Sequence, residues 1–238
     1  QLVFQSTGDS TFLPGIYYFD CKKSKLNPLF RHEGQYSRLT IDEDGQKVAF
    51  MADLDSTEHT IRYHGIYYWD SSQDSALMVL DTIHSFVPQN WLINEKDTLY
   101  FSEDGEKLFF SLAAKPALPD TTLLEEEIVN VEVWTYKDPR LYTQQRIEVE
   151  KDRKKGFRCW FDTENQRFVQ LANEEVPEII TADEGNGDIA IGMANEQYFK
   201  FISWEGFPLR NDFYTVDMQK GEREKILTNL RSYQYGFS

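Results

Sequence analysis

Gly15-Ile16-Tyr17-Tyr18-Phe19-Asp20 returns fifty residues later as Gly65-Ile66-Tyr67-Tyr68-Trp69-Asp70. A second stretch, Leu39-Thr40-Ile41-Asp42-Glu43-Asp44-Gly45-Gln46-Lys47-Val48-Ala49-Phe50, returns sixty residues on as Leu99-Tyr100-Phe101-Ser102-Glu103-Asp104-Gly105-Glu106-Lys107-Leu108-Phe109-Phe110. An echo of this size marks one supersecondary unit that cannot bury its apolar face alone and has to stack on neighbours. It speaks for a scaffold; chemistry has to be argued from a site.

Around the echo the unit reads as four antiparallel strands. Asp44-Gly45 and Asp104-Gly105 each sit between apolar-rich runs, and Asp-Gly favours a tight hairpin with positive φ at both turn positions. The first hairpin predicts strands near 36–42 and 46–52, the second near 97–102 and 106–112. Asn186-Gly187 plays the same part between Glu178–Ala182 and Asp188–Ala194. A third strand then ends in an aromatic residue and Asp, as in Ile66–Trp69 before Asp70 and Phe157–Phe161 before Asp162, with Phe213–Val216 before Asp217 a looser copy. A polar turn and a short outer strand follow at Ala76–Leu80, Arg167–Leu171 and Glu224–Leu227, and the front of the chain repeats this ending at Leu26–Phe30.

The fold class is therefore all-β, a β-propeller-type array of about four four-stranded blades. The approximate blades are 1–34, 35–82, 91–172 with an insertion at 115–151, and 174–228, with the start of a next blade at 230–238. The marker residues Asp20, Asp70, Asp162 and Asp217 stand 50, 92 and 55 residues apart, the long interval holding the insertion. Leu2–Gln5 reads as a second strand without an inner one, and Leu230–Ser238 as an inner strand without a second. Two expectations follow. Either the last strand completes the first blade and closes a small ring, or the chain is part of a larger propeller whose blade edges pair in a homodimer. The abrupt strand-like opening Gln1–Gln5 fits a piece of a longer protein or a chain whose leader has been removed.

Composition narrows the function. Of 238 residues 15% are aromatic, as broad packed sheet faces require, and the formal net charge is −15. That balance argues against a nucleic-acid binder, since phosphate neutralisation needs clustered Lys and Arg. An acidic surface, or an acidic lining for a cationic ligand, are the two readings of that charge. No run approaches the roughly 18 apolar residues of a membrane span. Cys21 and Cys159 lie beside aromatic strands and read as buried free thiols, without a zinc or CxxC pattern.

Catalytic and cofactor motifs are missing from the sequence. Gly-x-Ser-x-Gly, HExxH, a phosphate loop and a dinucleotide fingerprint do not occur. No catalytic, metal or cofactor-binding residue is assigned, and no cofactor is expected. His59 and His64 flank a loop and read as surface residues, while Asp53, Asp55 and Glu58 read as a solvated acidic loop. Trp69 and Trp134 are expected in the core. Helix signals are few, with Leu123–Glu127 a short turn at most.

The most unusual stretch is Val131-Glu132-Val133-Trp134-Thr135-Tyr136-Lys137-Asp138-Pro139, followed by Leu141-Tyr142-Thr143-Gln144-Gln145 and the charged run Glu148–Lys155. It reads as a β-alternating excursion at a rim. Such insertions either pack locally or contact partners, and Trp134, Tyr136, Lys137, Asp138 and Tyr142 are the candidate contact residues.

Trp134–Pro139 with Gln144-Gln145 resembles the amino-terminal propeller region of Bacteroidetes-type serine peptidases of the prolyl-oligopeptidase family. Ser102-Glu103-Asp104-Gly105-Glu106-Lys107-Leu108 is similar to a blade motif shared with TolB-type propellers. The resemblance implies a noncatalytic propeller that gates or docks peptide substrates for a C-terminal α/β-hydrolase domain, in a periplasmic or secreted parent. The family's catalytic residues lie in that hydrolase domain, so none is carried over. A stand-alone TolB or WD-repeat-like interaction propeller is the alternative, and a glycan-binding or glycosidase-like propeller a weaker third.

Overall fold

The computed structural model describes residues 1–238 apart from 9–11, 58, 119–132, 134, 136, 233–236 and 238. It consists of four antiparallel sheets in chain order. Sheet 1 holds β1 (Leu2–Ser6), β2 (Gly15–Asp20) and β3 (Lys25–Arg31). Sheet 2 holds β4 (Gln35–Ile41), β5 (Lys47–Asp53), β6 (Gly65–Asp70) and β7 (Leu77–Leu80). Sheet 3 holds β8 (Trp91–Ile93), β9 (Tyr100–Phe101), β10 (Lys107–Ala114), β11 (Phe157–Asp162) and β12 (Phe168–Gln170). Sheet 4 holds β13 (Glu178–Thr181), β14 (Ile189–Ala194), β15 (Arg210–Asp217) and β16 (Arg223–Arg231). Among the described residues the sheets are open, and none closes on itself.

The second strands of sheets 2 and 3 are covered on both faces, which is why Lys47–Asp53 and Lys107–Ala114 read as nearly continuous apolar runs. Alternate side chains point to the preceding and the following sheet. Val48 and Phe50 face sheet 1, where they meet Ile16 and Tyr18. Ala49 and Met51 face sheet 3, where they meet Leu108, Phe110 and Phe161. Phe109 and Trp160 face sheet 4, where they meet Ala190 and Val216. Three apolar seams thus join four sheets in order. Trp160, 1% exposed, also donates its indole N–H to Met218 O at 2.8 Å, so its one polar atom is satisfied across the seam.

The repeated motifs have specific jobs. Each marker Asp accepts backbone N–H groups of the turn it opens: Asp20 from Lys22, Asp70 from Ser72, Asp162 from Glu164 and Asn165, and Asp217 from Gln219 and Lys220. The hairpin turns differ from the expectation in one respect. Only the glycines have positive φ, Gly45 at 67° and Gly105 at 68°. Each turn is a four-residue loop in which the glycine N–H returns to Asp42 O or Ser102 O, a type I turn closed by a left-handed residue. In sheet 4 the left-handed positions are Asp183, Glu184 and Gly185, so Asn186-Gly187 is not the turn pivot.

Sheet 3 departs further. Its inner strand, expected as one run over 97–102, is split into β8 and β9. Asn94 Oδ1 takes the N–H of Lys96, and Asp97 takes that of Thr98 and the hydroxyl of Ser111. These side chains compete with the ladder for backbone groups. At the far end, β16 runs through Leu230 and Arg231, paired with Asn211 and Arg210, where the sequence reading opens a further inner strand. Most of that reading lies outside the described residues.

Residues 142–152 form helix α1 (Tyr142–Asp152), which corrects the reading of this excursion as strand. The expected strand through Trp134 lies outside the described residues. A 3-10 stretch, Glu196–Phe201, runs into the short helix α2 (Ile202–Glu205) between β14 and β15. Among the described residues, no helix is long and apolar enough to cross a membrane. Cys159 is buried and burial pushes its thiol pKa up, whereas Cys21 is exposed in the β2–β3 turn, contrary to the buried pair expected.

Candidate functional site at the excursion rim

Antiparallel order puts the hairpin and Asp turns at one rim of the sheets. The longer connections, 54–64, 115–156 and 195–209, leave from the other. On that second rim α1 and the Glu196–Glu205 segment border a cavity of about 670 Å³ lined by Asp97, Arg140, Asp152, Lys154, Glu178 and Phe199, among others. A second cavity of about 350 Å³ shares Asp97 and Glu178 and adds Ser111, Arg158 and Met193 between sheets 3 and 4. A third, about 210 Å³, is lined by Asp138, Pro139, Leu141, Tyr142, Phe199 and Trp204.

Arg140 stands between the first and third. Its Nη1 pairs with Glu148 at 2.8 Å and Asp152 at 2.7 Å, and its guanidinium lies 4.9 Å from the Phe199 ring centre. Burial pulls the Arg140 pKa down, but the hydrogen bond to Asp152 and the charges of Asp152, Glu148 and Glu196 outweigh it and raise it. Glu148 and Asp152 are four residues apart and so share one face of α1. The Glu196–Glu205 segment is anchored in turn by Asp212, a buried carboxylate. It accepts from Tyr198 Oη at 2.6 Å, Gln197 Nε2 at 2.8 Å, Lys225 Nζ at 2.9 Å and Asn229 N at 2.9 Å. Burial alone would raise the Asp212 pKa; these four donors hold it down to about 2.

Of the residues expected to make contacts, Asp138 and Tyr142 line the smallest cavity. Asp138 is also a turn residue, accepting from Thr135 N and Oγ1, and Tyr142 Oη accepts from Arg146. The Lys137 backbone N–H bonds Thr135 Oγ1. Trp134 and Tyr136 lie outside the described residues. Arg140, Phe199 and Trp204 were not foreseen; the signal for Arg140 was the i, i+4 carboxylate pair, readable only once 142–152 is taken as helix.

The acidic loop after β5 is also corrected. Asp53 is buried and pairs with Arg62 at 3.3 Å. His64, expected at the surface, is 5% exposed with an Nδ1 that finds no partner among the described residues. Burial lowers its pKa, against the opposing charges of Glu95 and Asp53 and with that of Arg62. Glu58 lies outside the described residues. His59 and Asp55 remain on the surface as an exposed pair.

No protein-family model matches the chain, and no curated protein matches it in sequence. Among solved structures, Porphyromonas gingivalis dipeptidyl peptidase 4 is similar with 17% identity and a TM-score of 0.49, over 97% of this chain and 31% of that one. The β-propeller domain of the Trilobed protease from Pyrococcus furiosus gives 14% and 0.43, over 90% and 48%. TolB from Acinetobacter baumannii gives 10% and 0.35, over 91% and 38%. The chain thus spans less than half the length of each of these three proteins.

Proposed function

We propose that the four sheets are blades of a β-propeller in a serine peptidase of the prolyl-oligopeptidase family, of the Bacteroidetes type that the excursion motif resembles. In this reading the chain is noncatalytic. It docks or gates peptide substrates for a C-terminal hydrolase domain of the same parent. The observation that carries the reading is the cavity of about 670 Å³ between α1 and sheet 4, at the rim opposite the tight turns. Its wall holds both carboxylates (Asp97, Asp152, Glu178) and cations (Arg140, Lys154), a lining that offers both partners to the amide groups of an extended peptide. The test is calorimetric titration of the chain with a proline-containing peptide, alongside a peptidase assay of the same preparation. Binding that weakens in Glu178→Lys, without hydrolysis, supports the reading. Hydrolysis by clean protein, or no binding at all, sinks it.

Trp204 favours a second reading, a stand-alone TolB or WD-repeat-like interaction propeller. It is 79% exposed beside Leu141 and the small cavity, as a protein-contact residue would be. The reading frame after Ser238 separates the two. A hydrolase domain bearing Gly-x-Ser-x-Gly there supports the first, and a stop codon the second.

A further inference from the structure

Helix α1 pairs off each of its carboxylates and leaves cations over. Glu148 and Asp152 both bond Arg140, and Glu150 pairs with Arg153 at 2.8 Å. Lys151, Lys154 and Lys155, at and just beyond the end of the helix, are exposed. Among the described residues none of their ammonium groups has a partner, and all three line the cavity of about 670 Å³. Cations at a helix C-terminus commonly serve its free carbonyls. Here those carbonyls are taken. Val149 O accepts from Arg153 N at 2.9 Å, Lys151 O from Lys154 N at 3.1 Å and Asp152 O from Lys155 N at 3.1 Å. Lys154 O accepts from Asn94 Nδ2 at 3.0 Å. The three lysines are therefore not needed to finish the helix.

The sheet 4 side of the cavity has the opposite sign. Glu178 opens β13 and Glu196 opens the 3-10 stretch, and both line the same space. Among the described residues no ion pair joins either of them to the lysines. Asp97 also lines it, but one of its oxygens accepts from the Ser111 hydroxyl at 2.5 Å and the other from Thr98 N at 2.8 Å. One side of the cavity thus presents unpaired cations and the other unpaired carboxylates. Its volume lies within the roughly 300–1,000 Å³ of small-ligand sites.

We infer that the α1 side is a carboxylate subsite. The inference rests on the peptide-docking reading above and names the class of peptide: one that carries a carboxylate, seated on Lys151, Lys154 and Lys155. An ammonium group offers three donors and a carboxylate accepts at both oxygens, so neighbouring lysines can share one acid group. Repulsion from Glu178 and Glu196 keeps that group off the sheet 4 side. The direction in which the peptide lies is thereby fixed, with its acid group toward α1 and its backbone N–H groups free to donate to Glu178.

The test is calorimetric titration of the chain with three proline-containing peptides of one length. The first carries Glu and an amidated end, the second Gln and an amidated end, the third Gln and a free carboxyl end. At least one of the two carboxylate-bearing peptides should bind about 10-fold tighter than the neutral one, the worth of a single hydrogen bond to a charged group. Which of them does so identifies the source as a side chain or a chain end. Combining Lys151→Gln, Lys154→Gln and Lys155→Gln should remove the preference and leave the neutral peptide's affinity where it was. These side chains are exposed, so the variant should melt with the parent, and the comparison of peptides on the parent stands without it. Three equal affinities, or a tighter neutral peptide, overturn the carboxylate subsite and leave peptide docking intact. A preference that survives the triple substitution overturns it too, since the carboxylate would then sit elsewhere. If no peptide binds, the docking reading and this inference fall together.

Discussion

The turn rim and the excursion rim of this molecule are built by different rules. At the turn rim the sequence repeats and each repeated residue has a bond that recurs with it. Asp42 Oδ1 takes the N–H groups of Gln46 and Lys47, while in the next copy Ser102 Oγ takes the N–H of Lys107 and donates its own hydroxyl to Asp104 Oδ1. A carboxylate and a hydroxyl fill one slot because the backbone groups to be satisfied are the same. At the excursion rim nothing repeats. Helix α1 has no buried residue, and its ties are ion pairs, one ring face and a few hydrogen bonds near its ends. Repetition belongs to the scaffold, and the unrepeated segment is where a site can vary without unfolding it.

This contrast is broken most directly at a seam. Trp160→Ala should cost on the order of 3–5 kcal/mol, the range for truncating a large buried aromatic. Denaturant unfolding reads it, and an unchanged midpoint would mean that the sheet 3–sheet 4 seam does not carry stability.

Asp212 tests whether the Glu196–Glu205 segment belongs to the scaffold. Its carboxyl is held at about 2, below the ordinary value of 3.8. Its contribution is therefore fully present above the ordinary value and is lost as pH falls through about 2. The shift corresponds to roughly 2 kcal/mol. Asp212→Asn should flatten the stability profile between those limits. An equally steep profile in the variant would assign the acid loss to other carboxylates.

A dependence in the same direction, setting in at higher pH, is expected from His64. Its pKa in the fold lies below the unfolded value of 6.5, so folding is undisturbed above that value. As pH falls below it, the unfolded chain takes up a proton that the native imidazole resists, and stability drops. The melting temperature of His64→Gln should fall less than the parent's on acidification. Parallel falls would show that His64 is not the group responsible.

How much of this was legible follows the same division. The hairpins, the Asp-capped turns and the three-stranded first sheet were readable because alternation, Asp-Gly and a recurring Asp each report a local backbone need. Helix α1 was not, since Ile147-Glu148-Val149-Glu150-Lys151 alternates like a strand and no apolar face exists to reveal a helical period. His64 and Asp53 were misplaced at the surface because their burial comes from the fold around them. Their own sequence, a polar loop, gives no sign of it. Phe199 and Trp204 lie in a segment with no copy elsewhere in the chain, so the repeat said nothing about them.

Phe199→Ala sharpens the comparison at its weak end. If α1 is held to the body mainly through Arg140 on the Phe199 ring, losing the ring removes an interaction worth about 0.5–2 kcal/mol. The sheets themselves should be untouched, since no seam includes Phe199. Hydrogen exchange should therefore speed up in 142–152, while the global unfolding midpoint barely moves. A loss as large as that of Trp160→Ala would make the excursion part of the scaffold, and exchange unchanged in α1 would mean that its tether runs through its base, where Asn94 Nδ2 donates to Lys154 O.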